Sequence, residues 1–201
     1  MSRTLIVDAD QTILDFSSAF HQWMVEQGIE THDDQILTPR NRIHDVYKAS
    51  LEELALQLVD FSHSEAFERL QPLEHAVEAI RRFQEAEWTI HVVTSCDDHQ
   101  NSQKRRHTNL AKLFNIQPSH VHFAGLLGSK TGILSQLPTG YFVDDSLTHV
   151  REAIALGHTG ILIHNDKEDH ENLEKAIFCA DDWLEAQFII DEMCNINEQN
   201  Y

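Results

Sequence analysis

The first apolar block of the chain is short and unbroken. Leu5, Ile6 and Val7 run directly into Asp8, the pattern of a buried strand that ends in an acid. From Leu14 to Gln27 the spacing becomes helical, with Phe16, Phe20, Trp23 and Met24 on one side and Gly28 placed to stop the helix. Trp88 to Thr94 reads as a second strand and His120 to Phe123 as a third. Tyr141 to Val143, leading into Asp144 and Asp145, reads as a fourth, and Thr159 to Ile163 as a fifth. Helical patterns separate them. One has Pro72 at its first position and carries Leu73, Ala76, Val77, Ile80 and Phe83; others span Asp98 to Phe114 and Leu147 to Leu156, the last closed by Gly157. This alternation predicts a parallel sheet in an α/β fold.

One region departs from it. Between Asp15 and Gln71 only helical patterns occur. Ser50-Leu51-Glu52-Glu53 is a capping-box start for a helix through Phe61, and Ser62 with Glu65 repeats the signature. A helical block of roughly 50 residues is too long for an ordinary crossover. It is expected to form a small all-helical cap, residues 15–71, inserted after the first strand of a core made of 1–14 and 72–201. Asp181 to Glu192 is expected to close the core as an amphipathic helix using Trp183, Leu184, Phe188 and Ile189.

Composition narrows the partners. The 201 residues include 15 Lys+Arg against 33 Asp+Glu, a formal net charge of −18. Such a surface argues against nucleic acid polymers and anionic membranes, which require a basic face. No apolar stretch is long enough for a signal peptide or a membrane helix. Cys96, Cys179 and Cys194 form no CxxC pair. A cytoplasmic protein with reduced thiols is expected.

The chemistry gathers where a parallel sheet collects ligands, at the carboxyl ends of its strands. The first strand ends in Asp8-Ala9-Asp10-Gln11-Thr12, the second in Thr94-Ser95 and the fourth in Asp144-Asp145, while Lys130 opens the helix before the fourth. Carboxylates crowded in a cleft stay ionised only beside a cation, and hard oxygen donors suit Mg²⁺. One carboxylate could attack phosphorus and a second could protonate the leaving oxygen. Hydroxyls and an ammonium would hold the equatorial oxygens. A strand-end acid is also a common helix cap, and Thr94-Ser95 could cap the helix beginning near Asp98.

Taken in order, these segments resemble the haloacid dehalogenase (HAD) superfamily phosphatases. Leu5-Ile6-Val7-Asp8-Ala9-Asp10-Gln11-Thr12 is similar to the first motif, and Ile90-His91-Val92-Val93-Thr94 to the second. Lys130 is similar to the third, and Tyr141-Phe142-Val143-Asp144-Asp145 to the DD form of the fourth. The resemblance implies a Rossmann-like core with Asp8 as nucleophile and metal ligand. It implies Asp10 as general acid/base, its backbone carbonyl also binding metal. Thr94, Ser95 and Lys130 would bind phosphate. Asp145 would be the direct ligand of Mg²⁺, with Asp144 acting through water or from behind. His149 stands where relatives with a GDxxxD motif carry their last acid, and Gln11 where many carry Gly.

Asp10 favours a phosphatase or phosphomutase over a dehalogenase, and the helical block occupies the type 1 cap position. Asp8-x-Asp10-x-x-Ile13-x-Asp15-Phe16 with Thr94-Ser95 is most similar to the 5′(3′)-deoxyribonucleotidase branch, with Cys96 where those enzymes often carry Pro. The implied function is a Mg²⁺-dependent phosphomonoester hydrolase working through an aspartyl-phosphate, a 5′-nucleotidase in that branch. A sugar- or other metabolite-phosphate phosphatase on the same scaffold is the alternative. A phospho-accepting or binding protein without turnover is a third reading. The partner is in each enzymatic case a small phosphorylated metabolite. Phe16, Arg40 and Arg42, with Tyr47 and Lys48 nearby, are the candidates for substrate contact.

Overall fold

A computed structural model describes residues 3–37, 43–126, 128–163 and 176–199. Arg40 and Arg42 lie outside the described residues. The strands are β1 (Thr4–Val7), β2 (Thr89–Thr94), β3 (Val121–Phe123), β4 (Tyr141–Asp144), β5 (Thr159–Ile163) and β6 (Phe178–Ala180). The α-helices are α1 (Phe16–Glu26), α2 (Ile43–Val46), α3 (Leu51–Ser62), α4 (Glu65–Glu68), α5 (Ala76–Glu85), α6 (Gln100–Phe114), α7 (Thr131–Leu134), α8 (Leu147–Ala155) and α9 (Trp183–Gln199).

The strands form one parallel sheet in the order β3-β2-β1-β4-β5-β6. All four residues of β1 and of β4 are buried, as expected of strands covered on both faces. Alternate residues serve different layers. Leu5, Val7, Val92, Val143 and Ile161 join the main apolar cluster, which takes in α5, the end of α6 and α9. Ile6, Val93 and Phe142 face the opposite way, onto Leu134 of α7 and Ala153 of α8. Gly160 permits that second layer, because a Cβ there would lie 2.7 Å from Val150 and 2.8 Å from Ile154.

The α/β Rossmann-like fold expected from the sequence is therefore present, and β5 begins and ends where the pattern predicts. The block between β1 and β2 is helical, apart from its undescribed residues, and rich in aromatic contacts. Phe20 and Phe61 meet edge to face at 5.3 Å, and Phe16 stacks on Phe20 at 5.5 Å. These rings, with Met24, Leu54 and Phe67, continue the apolar cluster that runs under the sheet. Among the described residues no helix is long and apolar enough to cross a membrane.

Several local expectations are corrected. Pro72 does not begin a helix: it bridges Leu14, the Leu73 N–H donates to the Ile13 carbonyl, and α5 starts at Ala76 after a left-handed His75. The Ser50 capping box forms as expected, but the second N-cap is Ser64, whose hydroxyl accepts from the Phe67 N–H. Ser62 is instead the last residue of α3, and its hydroxyl turns toward Asp97. In α9 the buried stripe is Trp183, Ala186 and Ile190, while Leu184 and Phe188 are 55% and 63% exposed. The larger side chains mislead there because the inward position is filled by a small Ala186. The three-residue β6 has no sequence pattern strong enough to mark it.

Candidate active site

The central strand delivers the first acid. Asp8 follows β1 directly, and its N–H donates to the Val143 carbonyl at 2.9 Å, carrying the β1–β4 ladder one residue beyond the strand. Asp144 closes β4 next door, with Asp145 after it. Carboxylate oxygens of Asp8, Asp144 and Asp145 lie within 4.8 Å of one another.

Lys130 reaches this cluster from the start of α7. The loop before it is tight, since a Cβ at Gly128 would run into the Ala124 carbonyl. Lys130 is 1% exposed, and its ammonium donates to Asp8 Oδ1 and, at 2.7 Å, to Asp144 Oδ2. Burial alone would pull the ammonium down, but the Asp8 and Asp144 charges hold it above its ordinary value. Asp144 is fully engaged, because its Oδ1 accepts the Ser146 N–H at 2.8 Å. No hydrogen bond from the described residues reaches the Asp145 carboxylate.

Three carboxylates thus face one ammonium, leaving two negative charges uncompensated. The imbalance registers on the acids. Desolvation first, and then the Asp8 charge, pushes Asp144 up to about 6. Asp145 is raised well above the carboxylate range by burial and by repulsion from Asp8 and Asp144. A hard divalent cation would balance such a cluster, and three oxygen donors at this spacing could hold one.

Asp10 sits in a different environment. The Arg106 guanidinium, from the second turn of α6, donates through Nη2 to both Asp10 oxygens at 2.6 Å. Desolvation nonetheless keeps the Asp10 carboxyl above its usual value, against the pull of Arg106. Arg106 is completely buried, and its guanidinium carbon lies 4.3 Å from the centre of the Phe67 ring on α4. The sequence reading missed this arginine. Its signal lies in the helical spacing, since Ser102, Arg106, Leu110 and Phe114 form one buried stripe on α6. A charge in the middle of an inward stripe calls for a partner.

The loop after Asp10 is fixed from three sides. Gln11 takes a left-handed conformation, φ 57°, and its Oε1 accepts the Ser17 N–H at 3.1 Å. The Thr12 hydroxyl accepts the Asp145 N–H at 3.2 Å, and the Thr12 carbonyl accepts the buried Trp183 indole N–H at 2.6 Å. At the end of β2, Thr94 is wholly buried, and its hydroxyl has no hydrogen-bond partner among the described residues. Ser95, half-buried beside it, does not cap α6. His99 does, its ring nitrogen accepting the Asn101 N–H, while Asp97 accepts the His99 N–H. Cys96 is buried, which pushes its thiol up to about 12 and makes a reactive thiolate unfavourable at neutral pH.

Asp8, Asp144, Asp145 and Lys130 are thus in direct contact or close range, and Asp10 is tied to Arg106. Phe16 belongs to the aromatic packing of α1, in contact with Phe20 and Phe61. Tyr47 is buried, its hydroxyl 2.9 Å from His21 Nδ1, and Lys48 pairs with Glu30 at the surface. His149 on α8 lies 3.2 Å from Glu152, which also accepts from Ser129.

No family model and no curated protein matches the chain by sequence. Solved structures do match by shape. A haloacid dehalogenase-like hydrolase from Streptococcus pneumoniae superposes with a TM-score of 0.61 at 14% identity, over 91% of this chain and 95% of that one. The HAD-type hydrolase YfnB from Bacillus subtilis, bound to magnesium, gives 0.58 at 16% identity over 94% and 99%. The D,D-heptose 1,7-bisphosphate phosphatase from B. bronchiseptica, complexed with magnesium and phosphate, gives 0.55 at 14% identity over 94% and 99%. The chain has the fold shared by these HAD-type hydrolases.

Proposed function

We propose that the protein is a phosphomonoester hydrolase that works through an aspartyl-phosphate on Asp8 and requires Mg²⁺. One observation carries this reading: Asp8, Asp144 and Asp145 meet around Lys130 with too little positive charge to balance them. Asp8, Asp145 and the Asp10 backbone carbonyl are the groups that would hold the ion, with Asp144 behind them. The Asp145 carboxylate, which accepts no hydrogen bond among the described residues, and the committed oxygens of Asp144 support that division. When bound, the cation neutralises substrate phosphate and the acids around it.

The side chains divide the remaining chemistry. Lys130 holds Asp8 Oδ1, which leaves Oδ2 to attack phosphorus. As the new bond forms, the bond to the ester oxygen breaks and Asp10 gives that oxygen its proton. Asp10 then takes a proton from the water that attacks the acyl phosphate. Inorganic phosphate leaves and the Asp8 carboxylate is restored. Lys130, with Thr94 and Ser95, holds the equatorial oxygens. The unpartnered Thr94 hydroxyl is a buried donor awaiting such an acceptor.

The helices between β1 and β2 are read as a cap of type 1 over this rim. Substrate is a small phosphorylated metabolite. The local sequence around Asp8 and Thr94 favours a 5′-nucleotide, whereas the heptose bisphosphate phosphatase among the fold's relatives makes sugar phosphates the comparison class. The test is a panel of nucleoside monophosphates and sugar phosphates, run with Mg²⁺ and with chelator. The expected result is metal-dependent phosphate release, lost in Asp8→Asn. Full activity in that variant, or turnover in chelator, would overturn the reading.

A further inference from the structure

We infer that Arg106 is a positioning residue for the acid step, and that the helical block controls it through Phe67. The inference rests on Asp10 being the proton donor proposed above.

The geometry is unusual in how few contacts hold the arginine. Nη2 is committed to Asp10, while Nε and Nη1 are buried with no hydrogen-bond partner among the described residues. A buried guanidinium normally spreads its donors over several acceptors, because each unpaired one is costly. Among the described residues, all of its directional bonding goes to a single carboxylate. One nitrogen spans both Asp10 oxygens, so the carboxyl group is held in place from one side while each oxygen keeps a lone-pair direction free.

What holds Arg106 in turn is the helical block. The Phe67 ring covers its guanidinium at 4.3 Å, an attraction that strengthens where water is excluded. Neighbouring contacts fasten α4 to α6 on either side. Arg105 pairs with Glu68 at 3.0 Å, and Asn109 donates to the Glu68 and Leu70 carbonyls at 3.1 and 2.9 Å. Phe67 itself is packed edge to face against Phe61 of α3, at 5.7 Å. A rigid chain of contacts therefore runs from α3 through Phe67 and Arg106 to Asp10. A displacement of the block would move the proton donor without touching Asp8, Lys130 or the DD pair.

The test separates proton donation from every other requirement by varying the leaving group. Aryl phosphates from 4-nitrophenyl to 4-methoxyphenyl need progressively more help from an acid as the phenol becomes more basic. The quantity read is kcat/KM, with Mg²⁺ present, for wild type, Arg106→Lys and Phe67→Leu. Losing general-acid assistance costs on the order of 10²-fold or more. Arg106→Lys is expected to lower the rate about 10–100-fold for the 4-methoxyphenyl ester and less than about threefold for the 4-nitrophenyl ester. Phe67→Leu should show the same tilt at about a third of the size on a logarithmic scale. If Arg106→Lys does not fold, Phe67→Leu alone decides.

An equal loss on every ester, or no loss, would overturn the inference and leave the phosphatase reading intact. Absence of turnover in wild type on all esters and on the metabolite panel would remove the phosphatase reading itself, and this inference with it. The two failures are thereby distinguishable.

Discussion

The site has two halves that are balanced in opposite ways. On the Lys130 side, one cation serves three carboxylates that come from the ends of β1 and β4. On the Arg106 side, one cation serves one carboxylate, and the pair is closed. The first half is built entirely from strand ends and one tight loop, and it lacks positive charge. The second is matched in charge but borrows its support from a helix of the block between β1 and β2. Under the proposed mechanism the labour divides: the half that would bond to phosphorus is set by the core and would be completed by an ion, and the half that would move a proton is set by the helical block.

The sharpest way to break this comparison is at the proposed nucleophile. Asp8→Asn should lower turnover by roughly 10⁴-fold or more, while the Asp10–Arg106 pair stays intact. Phosphate release assays measure the first part, and an unchanged aromatic circular dichroism spectrum checks the second.

Next in size is the effect of the ion on stability. At a concentration 100 times its dissociation constant, a ligand specific for the native state adds about 2.7 kcal/mol, which for a chain of 201 residues raises Tm by about 5–10 °C. Mg²⁺ is expected to do this to wild type and not to Asp145→Asn. Without the ion, Asp145→Asn should be as stable as wild type or more so, because a repelled carboxylate is gone. Thermal unfolding with and without Mg²⁺ reads both outcomes.

Asp144→Asn tests the other member of the DD pair. Its carboxylate is bonded to Lys130 and Ser146, so its loss should destabilise the ion-free protein by about 2–4 kcal/mol. The contrast between adjacent aspartates, one indifferent to removal and one not, is measurable by urea denaturation. Equal effects would erase the distinction drawn between them.

The smallest expected effect lies on the Arg106 side. Asp97 fastens the end of α3 to the start of α6, accepting from the hydroxyls of Ser62 at 2.7 Å and Ser102 at 3.0 Å. Burial pushes its carboxyl up, but those hydrogen bonds, with the His99 N–H, hold it below its ordinary value of 3.8. A depressed folded-state pKa stabilises the protein above the unfolded value and loses that stabilisation as pH falls through the folded one. Asp97→Asn should therefore cost about 1 kcal/mol at neutral pH, lowering Tm by a few degrees. The gap between the two proteins should close in acid, below the ordinary carboxylate range.

The two halves also differed in how legible they were. Asp8, Thr94, Lys130, Asp144 and Asp145 could be placed from sequence because each stands at the end of a short apolar run or at a helix start, and a parallel sheet gathers such ends. Arg106 could not be found that way. It lies inside a helix, far from any strand end, and its partner Asp10 is 96 positions away. Only its place among Ser102, Leu110 and Phe114 marks it. The same limit explains α9: an inward stripe anchored on an alanine is less visible than two large apolar residues that face water. Ser62 was misread because a serine at a helix end can serve a distant acid as readily as the next turn. Pro72 was misread because it sits in a bridge to Leu14, a tertiary pairing that helix rules do not see.

The position of β1 in the sheet has a consequence for the order in which the molecule comes into being. The strand precedes both of its neighbours in chain order, pairing with β2 on one side and β4 on the other. During synthesis Asp8 must wait for residues 141–145 before its neighbours exist. Contacts of such long sequence separation form late. A truncated or half-made chain thus offers no assembled acid cluster, so tight Mg²⁺ binding would report a finished sheet.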